Sequence, residues 1–184
     1  MKLYLFDLDG TLFDTKDINY HAYKEALEKY GFSIDYKYYC EHCNGRHYTD
    51  FLPQLTGANI EVLTAVHTDK KNLYASFLDR GVKNQPLFDI IEAVRETSKV
   101  AIVTTASRKN CYELLDQFGV RELFDLILTH EDITNSKPDP EGFIKAMRYF
   151  EVEPEETVIF EDSDVGLEAA KRSGAFYYKT FGFN

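Results

Sequence analysis

Asp7 and Asp9 stand two residues apart at the end of an apolar run, Leu3 to Phe6, within LYLFDLDGTLFDT (residues 3–15). Residues i and i+2 of an extended chain start on the same side, so the two carboxylates begin on one face. Like charges this close raise each other's cost of ionisation, and burial raises it further. A second acidic group, Glu161, Asp162 and Asp164 in EDSDVG (161–166), follows another apolar run, TVIF (157–160). Hydroxyls end the remaining apolar run: KVAIVT (99–104) leads into Thr104, Thr105 and Ser107. Lys137 precedes Pro138 in THEDITNSKPDP (129–140).

Five acids at one place call for a cation. Hard carboxylate oxygens, with no His or Cys among them, suit Mg²⁺, which keeps water and substrate phosphate as its other ligands. Lys137 adds positive charge and, with Thr104, is suited to hold phosphoryl oxygens. One of Asp7 and Asp9 can then bind metal and attack while the other serves as acid and base. Gly10 lets the backbone approach the bound group closely. Plainer roles exist for several of these residues. Asp9 and Thr11 can shape a turn, and Thr104 can be an ordinary strand end with Thr105 making the contact. Lys137 can be a solvated loop lysine, and Asp164 can cap a helix running from Val165. Glu131 and Asp132 read as loop charges.

Such residues meet only if the elements before them lie side by side. Five strand-like runs are present at Lys2–Phe6, Lys99–Thr104, Asp125–Thr129, Thr157–Phe160 and Ala175–Lys179. The second and fourth are apolar and rich in β-branched residues, as strands covered on both faces should be. Helical patterns alternate with them. Leu87, Phe88, Ile90, Ile91 and Val94 mark one, and Tyr112, Leu114, Leu115 and Phe118 mark another that ends at Gly119. Pro140 opens a third through Phe143, Ala146, Met147 and Phe150, and Val165 to Arg172 forms a fourth before Gly174. Alternation of this kind predicts an α/β, Rossmann-like parallel sheet, with ligands bound beyond the carboxyl ends of its strands.

Residues 16–85 break the alternation, for no strand is evident there. Ile18, Ala22, Tyr23, Ala26, Leu27 and Tyr30 form a helical stripe, and another helical pattern runs from about Asn59 to Leu78. Short aromatic pieces lie between, and RGVKNQP (80–86) reads as the returning linker. The expected organisation is a core of residues 1–15 and 86–184 with an inserted all-helical cap at 16–85.

Composition limits the partners. The 184 residues carry 21 Lys and Arg against 31 Asp and Glu, a net charge of −10, which argues against a nucleic-acid footprint and against docking on anionic membrane. No apolar run approaches the roughly 18 residues of a spanning helix. The start of the chain lacks the form of a signal peptide, so a cytoplasmic protein is expected. Cys40, Cys43 and Cys111 suggest no disulfide framework. CEHCNGRH (40–47) has one Cys-x2-Cys pair, but no second pair of zinc ligands follows it, and a helix end with a loop behind it is the expectation.

The order of these features resembles the haloacid dehalogenase superfamily. Its four motifs are similar to DLDGT (7–11), Thr104 after AIV, KP (137–138) and EDSDVG (161–166), each after the strand it should follow. The resemblance covers residues 1–15 and about 86–184, and residues 16–85 stand where one branch of the superfamily inserts a helical cap. It implies Asp7 as the nucleophile, forming an aspartyl-phosphate, and Asp9 as the acid and base. It implies Mg²⁺ held by Asp7, the Asp9 carbonyl and Asp162, with Glu161 a direct or water-mediated ligand and Asp164 behind them. Thr104 and Lys137 would steady the phosphoryl group. The acid at position 9 favours phosphate transfer, because the dehalogenase and phosphonoacetaldehyde-hydrolase branches lack it.

The cap is expected to close over the strand ends and read the leaving group. CNGRHYTD (43–50) is its candidate specificity loop, with Arg46 for a second anionic group and His47 as a polar contact or proton carrier, unless the segment is simply a charged surface turn. The expected function is a Mg²⁺-dependent phosphatase for a small phosphorylated metabolite. A phosphomutase of the β-phosphoglucomutase type, an inorganic pyrophosphatase and a non-catalytic regulatory protein are the alternatives.

Overall fold

Leu3, Leu5, Ala101, Val103 and Ile159 are all but completely buried, and the strands that carry them form one parallel sheet. The computed structural model describes residues 2–181 and 183 of the chain. Its strands and helices run β1 (Lys2–Phe6), β2 (Phe13–Asp14), α1 (Lys16–Glu28), α2 (Tyr36–His42), α3 (Tyr48–Thr56) and α4 (Ile60–Leu73). They continue as β3 (Val82–Lys83), α5 (Gln85–Val94), β4 (Ser98–Val103), α6 (Arg108–Gln117) and β5 (Leu126–Leu128). The last are α7 (Glu141–Phe150), β6 (Thr157–Glu161), α8 (Asp164–Ser173) and β7 (Phe176–Lys179). The chain divides into two compact units, Met1–Asp14 with Val82–Asn184, and Thr15–Gly81.

The first unit has the α/β, Rossmann-like architecture. Its sheet has the order β5-β4-β1-β6-β7, with every neighbouring pair parallel. From β1 the chain moves outward through β4 to β5, then crosses back to place β6 on the other side of β1. The order therefore reverses between β1 and β6, the switch point beyond whose carboxyl strand ends sheets of this kind bind ligands. Register across this point is Phe6 opposite Phe160, and the two rings stack at 4.8 Å. The opposite apolar face packs Leu3, Leu5, Val103 and Ile159 against Phe143, Ala146 and Met147 of α7 and Ala169 and Ala170 of α8.

Local signals account for the helix ends. Ser107 and Ser163 cap α6 and α8 with their hydroxyls, each accepting from the N–H three residues on, and Gly174 ends α8 in the left-handed conformation. Ser163, and not Asp164, is the cap: Asp164 is the first residue of α8. The returning linker also differs from expectation. Its Val82 and Lys83 pair antiparallel with Asp14 and Phe13, a two-residue ladder too short to leave any periodicity in the sequence.

The second unit, Thr15–Gly81, is helical throughout its regular elements among the described residues. Tyr23, Ala26 and Leu27 of α1 pack with Tyr39 of α2, Phe51 and Leu52 of α3, and Leu63 and Val66 of α4. The aromatic pieces read from the sequence are α2 and α3. The single helix predicted from Asn59 to Leu78 ends as α-helix at Leu73 and continues in 3-10 geometry over Tyr74–Arg80. Among the described residues no helix is long and apolar enough to cross a membrane.

Candidate active site

The site is built where β1 and β6 end beside each other. Asp7 directly follows β1, and its N–H donates to the Phe160 carbonyl at 3.0 Å, continuing the ladder one step past the strand. The chain then turns sharply, with Gly10 N–H donating to Phe13 O at 2.7 Å and Phe13 N–H to Leu8 O at 3.0 Å. Gly10 has φ of +85°, and a Cβ there would run into the Asp162 carboxylate. Only glycine gives both that conformation and that approach.

Lys137 reaches the same place from the loop before α7, after which the Lys137–Pro138 peptide is cis. Its Nζ lies 2.6 Å from Asp7 Oδ1 and 2.6 Å from Glu161 Oε1, and all three side chains are at least nine-tenths buried. The second oxygen of Glu161 accepts from Ser163 N–H at 2.8 Å and from Ser163 Oγ at 3.0 Å. Both Glu161 oxygens are thus engaged within the protein. Gly166, in the first turn of α8, leaves the space that Glu161 fills, for a Cβ there would overlap its carboxylate. Asp162 is held differently: Thr11 Oγ1 donates to its Oδ1 at 2.9 Å.

Electrostatics follow from two buried carboxylates, Asp7 and Glu161, and the half-buried Asp162 around the Lys137 ammonium. Burial is the largest influence on Asp7 and pushes its carboxyl well above the usual range. Repulsion from Glu161 and Asp162 acts the same way, and Lys137 offsets only part of it. Burial and Glu161 likewise raise Asp162 to about 6, against the opposing hydrogen bond from Thr11. For Lys137 the two carboxylates outweigh burial and hold the ammonium charged. An excess of buried negative charge is the condition a divalent cation relieves.

Mg²⁺ was expected here, and the donor chemistry fits it: Asp7 and Asp162 offer hard oxygens on adjacent strand ends. Among the described residues no group of three or more His, Cys, Asp or Glu side chains forms a ready-made cage. Mg²⁺ is ordinarily held by one or two carboxylates with water and phosphate, and needs no such cage.

The other sequence candidates fall as follows. Asp9 is half-buried, two residues after Asp7. Thr104 is buried at the end of β4; its N–H donates to Leu128 O at 2.9 Å and its hydroxyl accepts from Ala106 N–H at 3.0 Å. Thr105 is exposed. The Asp164 side chain is 93% exposed and accepts from Lys179 Nζ at 3.1 Å. Cys111, on α6, is a buried neutral thiol, its pKa pushed far up by burial with Asp9 and Asp7 adding to it. In the second unit Arg46 and His47 are both exposed, and His47 Nδ1 lies 2.7 Å from Thr49 Oγ1. Cys43 is buried at the end of α2 and Cys40 half-buried on it, both as free thiols.

Two features were not read from the sequence. Asp132 is more than a loop charge: its Oδ2 accepts from Thr129 N–H and Oγ1 at 2.9 and 2.8 Å, and its Oδ1 from Arg108 Nη2 at 2.6 Å. It thereby ties the segment leading to Lys137 to the helix after Thr104. The Thr129-x-x-Asp132 spacing, a capping box with Asp at its third position, was the available signal. Asn84, in the supposed linker, is buried and donates from Nδ2 to the Thr11 carbonyl at 3.0 Å.

Residues 4–178 match the family model described as haloacid dehalogenase-like hydrolase. A phosphorylated carbohydrates phosphatase of Thermotoga maritima is 30% identical over 185 residues, covering 95% of this chain and 82% of that protein. A fructose-1-phosphate phosphatase of Escherichia coli is 28% identical, covering 92% of this chain and 91% of its own length. The crystal structure of CbbY from Rhodobacter sphaeroides in complex with phosphate superposes with a TM-score of 0.86 at 26% identity, over all of this chain and 87% of the other.

Proposed function

The chain belongs to the haloacid dehalogenase-like hydrolases, and from that premise we propose that it is a cytoplasmic, Mg²⁺-dependent phosphatase acting on a small phosphate monoester. Similarity to enzymes named for phosphorylated carbohydrates and fructose 1-phosphate supports the substrate class. The observation that carries the reading is the buried set at the switch point: Lys137 2.6 Å from both Asp7 and Glu161, with Asp162 beside them on Thr11.

In this reading an Asp7 oxygen attacks phosphorus, and the bond from phosphorus to the ester oxygen breaks. Asp9, two residues on, gives its proton to the departing alkoxide. A water then loses a proton to Asp9 and attacks the same phosphorus, and the bond to Asp7 breaks. Alcohol and inorganic phosphate leave, and both aspartates return to their starting states. Asp7, Asp162 and the Asp9 carbonyl would hold Mg²⁺, which would neutralise charge on the phosphoryl oxygens. Lys137 keeps Asp7 oriented and supplies a fixed positive charge where negative charge develops. Glu161, engaged by Lys137 and Ser163, fixes Lys137 in turn. Thr104 at the end of β4 supplies a hydroxyl for the phosphoryl group, with Thr105 next to it. Arg46 and His47 are proposed to contact the leaving group.

The test is phosphate release by the purified protein from a panel of phosphorylated sugars and small metabolites, with pyrophosphate and β-glucose 1-phosphate included. The reading expects hydrolysis of sugar or small-metabolite monoesters with Mg²⁺ and none with excess chelator. Release from pyrophosphate alone, or isomerisation of glucose 1-phosphate without net hydrolysis, would replace it. No turnover of any compound would refute it.

A further inference from the structure

Asn84 occupies the N-cap position of α5, yet its side chain makes no capping bond. Asn at this position ordinarily accepts from an N–H of the first turn. Here the side chain is used elsewhere: Nδ2 donates to the Thr11 carbonyl at 3.0 Å, in a buried contact between residues far apart in sequence. The Asn84 main chain continues the grip, its N–H donating to the Leu12 carbonyl at 2.9 Å. Two successive carbonyls of the turn that follows Asp7 and Asp9 are therefore held by one residue. The ladder of Phe13 with Lys83 and Asp14 with Val82 sets the register that delivers Asn84 to this point.

Within the turn stands Thr11, whose hydroxyl donates to Asp162 Oδ1 at 2.9 Å. A hydroxyl can aim at one oxygen of a carboxylate only if its own backbone is fixed. The Thr11 peptide is fixed on its carbonyl side by Asn84, and the next carbonyl is fixed by the same residue. We propose that Asn84 is a positioning residue for the Asp162 carboxylate, acting through Thr11. The link to Mg²⁺ rests on the phosphatase reading above; the link to Thr11 does not. Asn84 touches no substrate in this account, and its contribution is the direction in which an Asp162 oxygen is presented.

Asn84→Ser separates this role from a merely structural one. Serine is a good helix cap, so α5 keeps or gains stability, while the short side chain cannot span to the Thr11 carbonyl. Three readouts are compared with the parent protein: thermal unfolding, hydrogen exchange of the peptide covering residues 8–13, and the Mg²⁺ concentration for half-maximal hydrolysis of p-nitrophenyl phosphate. The expected result is little change in unfolding, faster exchange at residues 8–13, and a rise in the half-saturating Mg²⁺ of about tenfold or more. Thr11→Val should raise the Mg²⁺ requirement similarly, and adding Asn84→Ser to it should raise it little further, since both act on one carboxylate. Unchanged exchange at residues 8–13, or an unchanged Mg²⁺ requirement in Asn84→Ser, overturns the proposal. If the parent protein neither hydrolyses the ester nor responds to Mg²⁺, the phosphatase reading fails, and the exchange comparison alone decides whether Asn84 holds the turn.

Discussion

Lys137 Nζ lies 2.6 Å from Asp7 Oδ1 and binds a carboxylate whose ionisation burial, Glu161 and Asp162 all oppose. The single positive charge of the ammonium faces Asp7, Glu161 and Asp162 and cannot neutralise all three. Removing it should therefore matter more than an ordinary ion pair would suggest. Lys137→Met would leave Asp7 and Glu161 buried and facing each other. Breaking a buried pair from one side costs about 3–5 kcal/mol. Urea unfolding of metal-free protein at pH 7.5 should show a loss of that order, partly recovered by added Mg²⁺, and the variant should release little phosphate. A midpoint unchanged from the parent would show that the ammonium does not stabilise this cluster.

Gly10→Ala tests the turn. At φ of +85° an L side chain is strained by roughly 1–2 kcal/mol, and its Cβ would meet the Asp162 carboxylate. The expected outcome is a modest fall in the urea midpoint together with a much larger rise in the Mg²⁺ needed for activity. Ala at Gly45, whose φ is +75° with open space around it, serves as the control: it should cost stability and leave the Mg²⁺ requirement unchanged.

The pH dependence of stability has a contribution far from the site. Burial raises the Asp125 carboxyl, but hydrogen bonds from Lys99 Nζ at 2.7 Å and the Val100 N–H at 3.0 Å outweigh it and leave the pKa lowered. A lowered pKa means stability that is present above the unfolded value, near pH 4, and is lost as pH falls through the folded value. The pair is about one-third exposed, so its worth is under about 1 kcal/mol. Asp125→Asn should lower the urea midpoint at pH 7, with the deficit closing as pH falls below about 4. A deficit that stayed constant down to pH 2.5 would contradict the assignment.

Much of this was legible in the sequence because it depends on local pattern. KVAIVT and TVIF have the apolar, β-branched pattern of strands covered on both faces, and EDSDVG follows the second directly, which places its acids at a sheet end. The roles of Thr11, Asn84 and Asp132 were less legible. Thr11 and Asp162 are 151 residues apart, and Asn84 and Thr11 are 73 apart, so their pairing depends on the order of the strands and leaves no spacing to read. Asn84 lies within RGVKNQP, which reads as a returning linker, and nothing in that segment signals a buried contact; Asn84 is the N-cap residue of α5, yet its side chain makes no capping bond. Val82 and Lys83 failed for a different reason, since two paired residues are too few for a period.

If Asp7 takes the phosphoryl group from the substrate, acid quenching during turnover traps it there. Protein turning over p-nitrophenyl phosphate with Mg²⁺ would be quenched, reduced with borohydride and digested, and the N-terminal peptide sequenced by mass spectrometry. An acyl-phosphate on Asp7 is reduced to homoserine, so homoserine is expected at position 7. Neither the same protein quenched without substrate nor Asp7→Asn, which should lose activity by about 10³-fold or more, should show it. Rapid phosphate release with an intact aspartate at position 7, or with the modification at another residue, would contradict the account.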